Sequence, residues 1–137
     1  MADVYQSLYG RLSGFAGLTA LVGTRIFPMA AGPAKPAFPY VTYMEVSTLE
    51  RRRTMGLPIS HEVTAQFRFD LYTKTTEAQS GFTACVALEK QVRLAIDNFS
   101  DSVVDAVMFT DLSENVDSQE GLFHRVLDFA VTYIVQA

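Results

Sequence analysis

The sequence predicts an α+β domain in which one long helix and short N-terminal helices pack on one face of a four-stranded, mainly antiparallel sheet. Apolar and polar residues alternate strictly from His61 to Leu71, which is the period of a strand with one buried face. A helical pattern follows, with apolar residues three and four apart. Two further strand-like runs come after it, and strands that are consecutive in sequence usually lie side by side. The 137 residues fit one domain, residues 1–137.

The N-terminal part of the chain predicts two helices, a short extended segment and a loop. Asp3 is a suitable cap for the first helix, and Phe15 to Val22 forms a second helical segment closed by Gly23. Arg25 to Pro28 is a brief extended piece, which ends at a proline that cannot donate a ladder hydrogen bond. Met29 to Pro39 is rich in Ala, Gly and Pro and is expected to be a loop.

The remaining residues predict the sheet and its long helix. The strands are expected at Tyr40–Leu49, His61–Leu71, Ser102–Leu112 and Gly121–Val135. The charged, Gly- and Pro-containing Glu50–Pro58 is expected to be an exposed, hairpin-like connection. The helix is expected at Thr76–Phe99, capped by Thr75 or Thr76, and Ser113–Ser118 is a polar turn. The last strand is partly apolar on both faces, which is usual for a central or covered strand.

Composition excludes several classes of protein. The net charge of -4 disfavours nucleic-acid binding, so we expect no sequence-specific nucleic-acid partner. The N-terminus lacks a basic segment, and no apolar run approaches the ~18 residues of a membrane span, so we expect a soluble cytosolic protein without a membrane partner. The single cysteine, Cys85, excludes an internal disulfide and occupies an apolar helical position, where it acts as a small hydrophobic residue.

No motif predicts a catalytic residue, a cofactor or a metal. The glycines do not form a phosphate-binding loop after a strand, and no Gly-x-Ser-x-Gly sequence is present. The two histidines, His61 and His124, lie far apart in sequence, and no spacing supplies further metal ligands. A small hydrolase using Asp70, His61 or His124 is the enzymatic alternative, but it lacks a recognisable set of nucleophile, base and orienting group.

The one dense charge cluster consists of Arg51, Arg52 and Arg53. It is either a solvated loop or a contact arm whose guanidinium groups reach an acidic partner. The late strand pair is acidic, through Asp101, Asp105, Asp111, Glu114 and Asp117. If the arginines form a contact arm, our hypothesis is a head-to-tail contact between identical subunits that pairs them with this acidic region, with Asp111, Glu114 and Asp117 as interaction residues.

Four local sequences carry a resemblance that covers nearly the whole chain. They are Leu18–Pro28 (LTALVGTRIFP), Pro39–Tyr43 (PYVTY), Gln66–Thr75 (QFRFDLYTKT) and Arg125–Tyr133 (RVLDFAVTY). With the order of elements, they resemble the tail-completion (tail terminator) proteins of long, non-contractile-tailed bacteriophages and prophages. The segment Glu50–Ser60 shares no pattern with that family, so no residue role is transferred there.

The resemblance implies a structural, non-enzymatic virion protein. Such a protein is expected to form a homo-oligomeric ring, commonly a hexamer, at the head-proximal end of the tail tube. The ring would end tube polymerisation and offer a docking surface to head or neck connector proteins. The implied partners are the tail tube protein and a head or neck connector protein, and a contact with the tape-measure protein is left open. The expected location is the virion tail, and the host cytoplasm during assembly. The alternatives are a head–tail joining (neck) protein and a generic small binding module of ferredoxin-like architecture.

Overall fold

A computed structural model describes residues 3–28, 37–53, 60–117 and 121–136; the side chains of residues 53, 60, 117 and 136 are not described. Within these residues the chain forms three helices and one five-stranded sheet. The elements are α1 (Val4–Ser13), α2 (Ala16–Val22), β1 (Ile26–Pro28), β2 (Tyr40–Arg53), β3 (Ser60–Lys74), α3 (Gly81–Ile96), β4 (Val104–Asp117) and β5 (Leu122–Gln136). The predicted α+β class is confirmed.

The sheet has the order β1-β2-β3-β5-β4. The predicted count of four strands is wrong, because the brief extended piece Ile26–Pro28 pairs with Val41–Tyr43 as a fifth strand. This pairing is parallel and the other three are antiparallel, so the sheet is mixed. Three residues are too few to show a period of two, which is why the sequence does not reveal the fifth strand. β5 lies between β3 and β4, as its two apolar faces predict.

Local capping explains where α1 begins and where α2 ends. The Asp3 side chain accepts a hydrogen bond from the Gln6 backbone N–H at 2.8 Å, and the Gln6 side chain accepts one from the Asp3 backbone in return. This capping box satisfies backbone donors that the first turn leaves free. Gly23 ends α2 with φ of +60°, a conformation that glycine adopts without the steric cost of a Cβ atom.

α3 is shorter than the predicted helix Thr76–Phe99. Its cap is Ser80, whose hydroxyl accepts hydrogen bonds from the Phe82 and Thr83 N–H groups, while Thr76 closes a separate turn with Gln79. The helix ends at Ile96, before Asn98 takes a positive φ of 60°. Among the described residues, no helix is both long and apolar enough to cross a membrane.

Strands β2, β3 and β4 are longer than predicted. β2 continues through Arg53, so the first part of the predicted connection Glu50–Pro58 is strand and that prediction is wrong; residues 54–58 lie outside the described residues. Arg51–Arg53 pair with His61–Val63 of β3, and this ladder holds the charged residues extended at the edge of the sheet. β4 likewise continues to Asp117, through most of the predicted turn Ser113–Ser118.

One apolar core lies between the helices and one face of the sheet. The alternation predicted for β3 is confirmed, because its core-facing side chains are at most 2% exposed. These are Val63, Ala65, Phe67, Phe69 and Leu71. They pack with Leu127, Phe129 and Val131 of β5 and with residues of all three helices. Burial of this apolar area supplies the main favourable term in folding.

Candidate interaction surfaces

The face of the sheet opposite the helices is polar and is held by cross-strand contacts. These are Thr64 Oγ1–Thr132 Oγ1 at 2.9 Å, Arg68 Nε–Asp128 Oδ1 at 3.1 Å and His124 Nε2–Asp70 Oδ1 at 2.7 Å. Asp70 and Asp128 are only 5% and 6% exposed on this helix-free face, because neighbouring side chains cover them. A buried carboxylate needs such partners to offset its desolvation. This open face is therefore a fixed, hydrogen-bonded surface.

A row of stacked rings crosses one end of the open face. The ring centroids of Tyr40 and Tyr72 are 4.5 Å apart, and those of Tyr72 and His124 are 4.3 Å apart. The three residues face one another across β2, β3 and β5. Burial, followed by the negative charge of Asp70, raises the pKa of Tyr72 to about 12. Tyr72 therefore stays neutral at physiological pH and acts here as a packing and stacking group.

The two histidines of the chain do not come together. His124 contacts Asp70 and Tyr72 in the stacked row, whereas His61 pairs with Arg53 and Val135 at the other end of β3. Across the described parts of the chain, no group of three or more His, Cys, Asp or Glu side chains is placed to hold a metal ion. The Asp70–His124 pair is therefore one of the cross-strand contacts that hold the open face together.

Cys85 lies on the buried face of α3 and is fully inaccessible. Burial raises the pKa of its thiol, against a smaller opposing contribution from the Thr73 hydroxyl. A protonated thiol is a poor nucleophile. The predicted role as a small hydrophobic core residue is confirmed.

The three consecutive arginines lie on the β2 strand and not on a loop. Arg51 pairs with Val63 and so belongs to the helix side of the sheet, while Arg52 pairs with Glu62 on the open face. Arg52 Nε lies 2.6 Å from Glu50 Oε1, and both side chains are more than half exposed. An exposed ion pair of this kind contributes little to stability and leaves the guanidinium accessible to a partner.

The predicted acidic interaction residues differ from one another in their surroundings. Asp111 faces Asp128 across β4 and β5 on the open face and accepts a hydrogen bond from the Leu112 N–H at 2.9 Å. Glu114 lies on the helix side, where its Oε1 is 3.5 Å from Nε of Arg125. Arg125 also forms an ion pair with Glu89 of α3, and both side chains are mostly buried. Asp117 pairs with Leu122 in the ladder, but its side chain is outside the described set.

The strand register places the arginines and these acidic residues at different heights of the sheet. Height here means position along the strand direction. Arg51 lies level with Val104, through the pairings Arg51–Val63–Tyr133–Val104. Glu114 lies level with Leu71 of β3, eight residues from Val63. At roughly 3.3 Å per residue this is a separation of about 26 Å along the strands. Since β2 and β4 are also separated by β3 and β5, the described side chains of Arg51 and Arg52 do not contact those of Asp111 and Glu114 within one subunit.

Exposed apolar residues lie on β2 and β4, and the sequence did not predict them. Val46 and Leu49 of β2 are 41% and 57% exposed, and Met108 of β4 is 64% exposed. Val46 and Leu49 each stand at a break in the β2–β3 register. A bulge shifts the alternation of faces by one residue, so the sequence pattern gave no sign that these side chains point outward.

Shallow grooves also open on the surface of the protein. One, of about 320 Å³, lies beside β1 and is lined by Tyr5, Gln6, Tyr9, Gly10, Pro28 and Tyr43. Another, of about 310 Å³, lies between α2, α3 and the ends of β2 and β3, and its lining includes Leu21, Phe38 and Leu88. Among the described residues, Lys74 is the only charged one in the lining of the second groove, and none lines the first. These linings suit apolar packing better than the chemistry of an active site.

Comparison with known proteins places the chain in a family. The family model described as "Tail completion protein gp17" matches residues 6–134. A chain from a structure entitled "Virion of native gene transfer agent (GTA) particle" has a similar fold, with a TM-score of 0.68 and 19% identity over 93% of this chain and 92% of that chain. No curated protein matches. The chain therefore belongs to the gp17 family of tail completion proteins, as its resemblance to phage tail-completion proteins predicts, and is a structural tail protein of a phage-type virion.

Proposed function

We propose that copies of this protein close into a ring at the head-proximal end of the tail tube. The ring ends polymerisation of the tube and presents a docking surface to head or neck proteins. The observation that carries this proposal is membership of the tail completion family over residues 6–134. The protein acts through its surfaces, without catalysis, in the virion tail and in the host cytoplasm during assembly.

The sheet supports a ring because its two outer edges differ. A closed ring of identical subunits uses heterologous contacts, so each subunit needs two complementary and unlike patches. One edge carries the exposed cations Arg51 and Arg52, and the other carries the exposed carboxylates Asp105 and Asp111. The sheet order places β3 and β5 between β2 and β4, so the two groups lie on opposite sides of the sheet.

To end a tube, the protein must also bind the last layer of tube protein and must not accept a further layer of it. The exposed ends of the strands and the polar open face offer contacts to a neighbouring ring without a deep cavity. We expect one rim of the ring to bind the tail tube protein and the other to bind a head or neck connector protein. A contact with the tape-measure protein inside the tube remains part of the same proposal.

The test combines the purified protein with purified tail tube protein. Native mass spectrometry is expected to give a single closed oligomer, a hexamer, and electron microscopy is expected to show it on one end of each tube with tube growth arrested. Only monomer at high concentration with tube protein present, together with unrestricted tube growth, would overturn the proposal. Capture by a portal-side adaptor protein, without capture by tube protein, would instead identify a neck protein.

A further inference from the structure

The pairing register makes it possible to compare the two outer edges of the sheet height by height. Arg51 is level with Val104, Glu45 is level with Phe109, and Val41 is level with Glu114. Each level runs through paired residues of β3 and β5. The paired residues of β2 from Tyr40 to Arg51 can therefore each be assigned a counterpart at equal height on β4, and Val46 and Leu49 fall between such levels.

The β1–β2 edge is cationic at its two ends and apolar between them. The exposed Arg51 and Arg52 occupy its upper end, followed by the exposed Leu49 and Val46. Lower down, Pro28 and Tyr43 line the apolar groove beside β1, and Arg25 directly precedes β1. In the described residues, β2 has a neighbour on this side only at Val41–Tyr43.

The β4 edge has the reverse charges at the same heights. Asp105 of β4 is exposed at its upper end, and Asp101 is exposed in the turn just before β4, where its carboxylate accepts hydrogen bonds from the Val103 and Val104 N–H groups. Met108 is 64% exposed and is level with the segment of β2 that contains Val46. Leu112 is 42% exposed and is level with Tyr43 and Pro28. Glu114 is exposed at the lower end of β4, one residue away from the height of Arg25.

We propose that β4 of one copy lies beside the β1–β2 edge of the next copy at equal height, with β4 and β2 antiparallel. Arg51 and Arg52 then meet Asp105 and Asp101, while Val46 and Leu49 pack against Met108. Pro28 and the groove beside β1 then meet Leu112, and Arg25 faces Glu114. This inference rests on the proposed ring, because it assigns the two unlike patches that close the ring.

The alternative is a staggered contact that pairs the arginines with Asp111, Glu114 and Asp117. It requires a shift of about 26 Å along the strands. That shift carries Val46, Pro28 and Arg25 beyond the lower end of β4, where β4 offers them no counterpart. Equal height, by contrast, gives a partner of suitable chemistry to each of these side chains, so it is the arrangement we favour.

Bulges in β2 and β4 indicate that the contact between two copies depends mainly on side chains and less on a continuous ladder of backbone hydrogen bonds. The register of β2 breaks at Val46 and Leu49, and the register of β4 breaks at Asp105 and Thr110. Bulges on edge strands discourage indiscriminate pairing with other strands. The edges would therefore select one another by charge and apolar fit.

Cysteine cross-linking measures the height directly, since the native Cys85 is fully buried. The variant Val46→Cys/Met108→Cys reports equal height. The variant Leu49→Cys/Val116→Cys reports the staggered contact, because these two positions differ in height by about eight residues. Neither pair can join within one subunit, since β2 and β4 are three strand spacings of roughly 4.8 Å apart. The single variant Val46→Cys controls for contacts between like edges.

Under mild oxidation of the assembled full-length protein, we expect the first variant to give a ladder of covalent oligomers and the second to remain uncross-linked. A ladder from the second variant alone would overturn the equal-height contact and leave the ring intact. Rings without a ladder from either variant would overturn the edge contact altogether. Loss of all assembly by the unmodified protein, in the presence of tube protein, would remove the ring and the inference together.

Discussion

The two faces of the central strands have opposite chemistry. On the helix side, Phe67, Phe69 and Phe129 are fully buried and their rings meet in edge or stacked contacts with neighbouring aromatic rings. On the open side, the same strands carry Arg68 and Asp128, paired at 3.1 Å. The difference teaches that folding depends mainly on one face, which leaves the other face and the edges available for contacts between proteins.

The largest expected effect comes from the buried face. Phe129→Ala removes a fully buried ring that contacts both Phe69 and Phe109, and should lower the free energy of unfolding by about 3–5 kcal/mol. Urea denaturation followed by circular dichroism measures this loss. Ile134→Ala on the open face of the same strand, 36% exposed, is the matched control and should cost much less. Equal losses of unfolding free energy in the two variants would contradict the conclusion that folding depends mainly on the helix-side face.

The next effect concerns the ion pair that joins α3 to the sheet. Arg125→Met removes the nearer of the two cations beside the mostly buried Glu89, the other being Arg93 at 3.9 Å, and should cost about 2–4 kcal/mol in unfolding free energy. The double variant Arg125→Met/Glu89→Gln should recover part of that loss, because it removes the carboxylate that has lost its nearer cation. Arg93→Met, whose side chain is 39% exposed, is the control and should cost less. No recovery in the double variant would argue against the pairing.

A smaller effect is expected from Tyr133 at alkaline pH. Burial, followed by the hydrogen bond to Glu45 at 3.0 Å, raises the pKa of Tyr133 to about 12 from about 10 in an unfolded chain. The folded state therefore favours the neutral phenol. Its contribution to stability is complete below pH 10 and is lost as pH rises towards 12.

The Tyr133→Phe variant tests this contribution. It should show a shallower fall of the unfolding free energy between pH 10 and 12, measured by denaturation at a series of pH values. An unchanged slope would show that Tyr133 titrates normally in the folded protein.

The smallest effect on stability, and the largest effect on assembly, is expected from the exposed arginines on the β1–β2 edge. Arg51→Glu/Arg52→Glu should leave the melting temperature almost unchanged, since both side chains are exposed, but should reduce self-association in multi-angle light scattering. Adding Asp105→Lys should restore association by the equal-height contact. Adding Asp111→Lys is the matched control and should restore nothing. The opposite pattern of rescue would favour the staggered contact.

The sequence predicted the features that depend on local patterns. The alternation in His61–Leu71 identified the buried face of β3, and the two-faced apolar pattern of the last strand identified it as central. Capping by Asp3 was also visible, because an N-cap is a matter of a few neighbouring residues. The start of α3 was wrong by five residues, because Ser80 caps the helix in place of Thr75 or Thr76.

Features that depend on pairing were not visible in the sequence. The parallel strand Ile26–Pro28 is defined only by its ladder with β2, and Arg51–Arg53 are extended because β3 pairs with them. Of the candidate site, the charged residues are visible in the sequence, but their heights along the strands are not. The heights depend on bulges at Val46, Leu49, Asp105 and Thr110, and these appear only once the strands are paired.

The most direct test of the proposed function is the length of tails in particles assembled without this protein. If the ring ends tube growth and joins the tail to the head, electron microscopy should show tubes of variable and excessive length, separate from filled heads. Supplying the unmodified protein should restore a single tail length and attachment. Tails of normal, uniform length on filled heads in its absence would contradict the account.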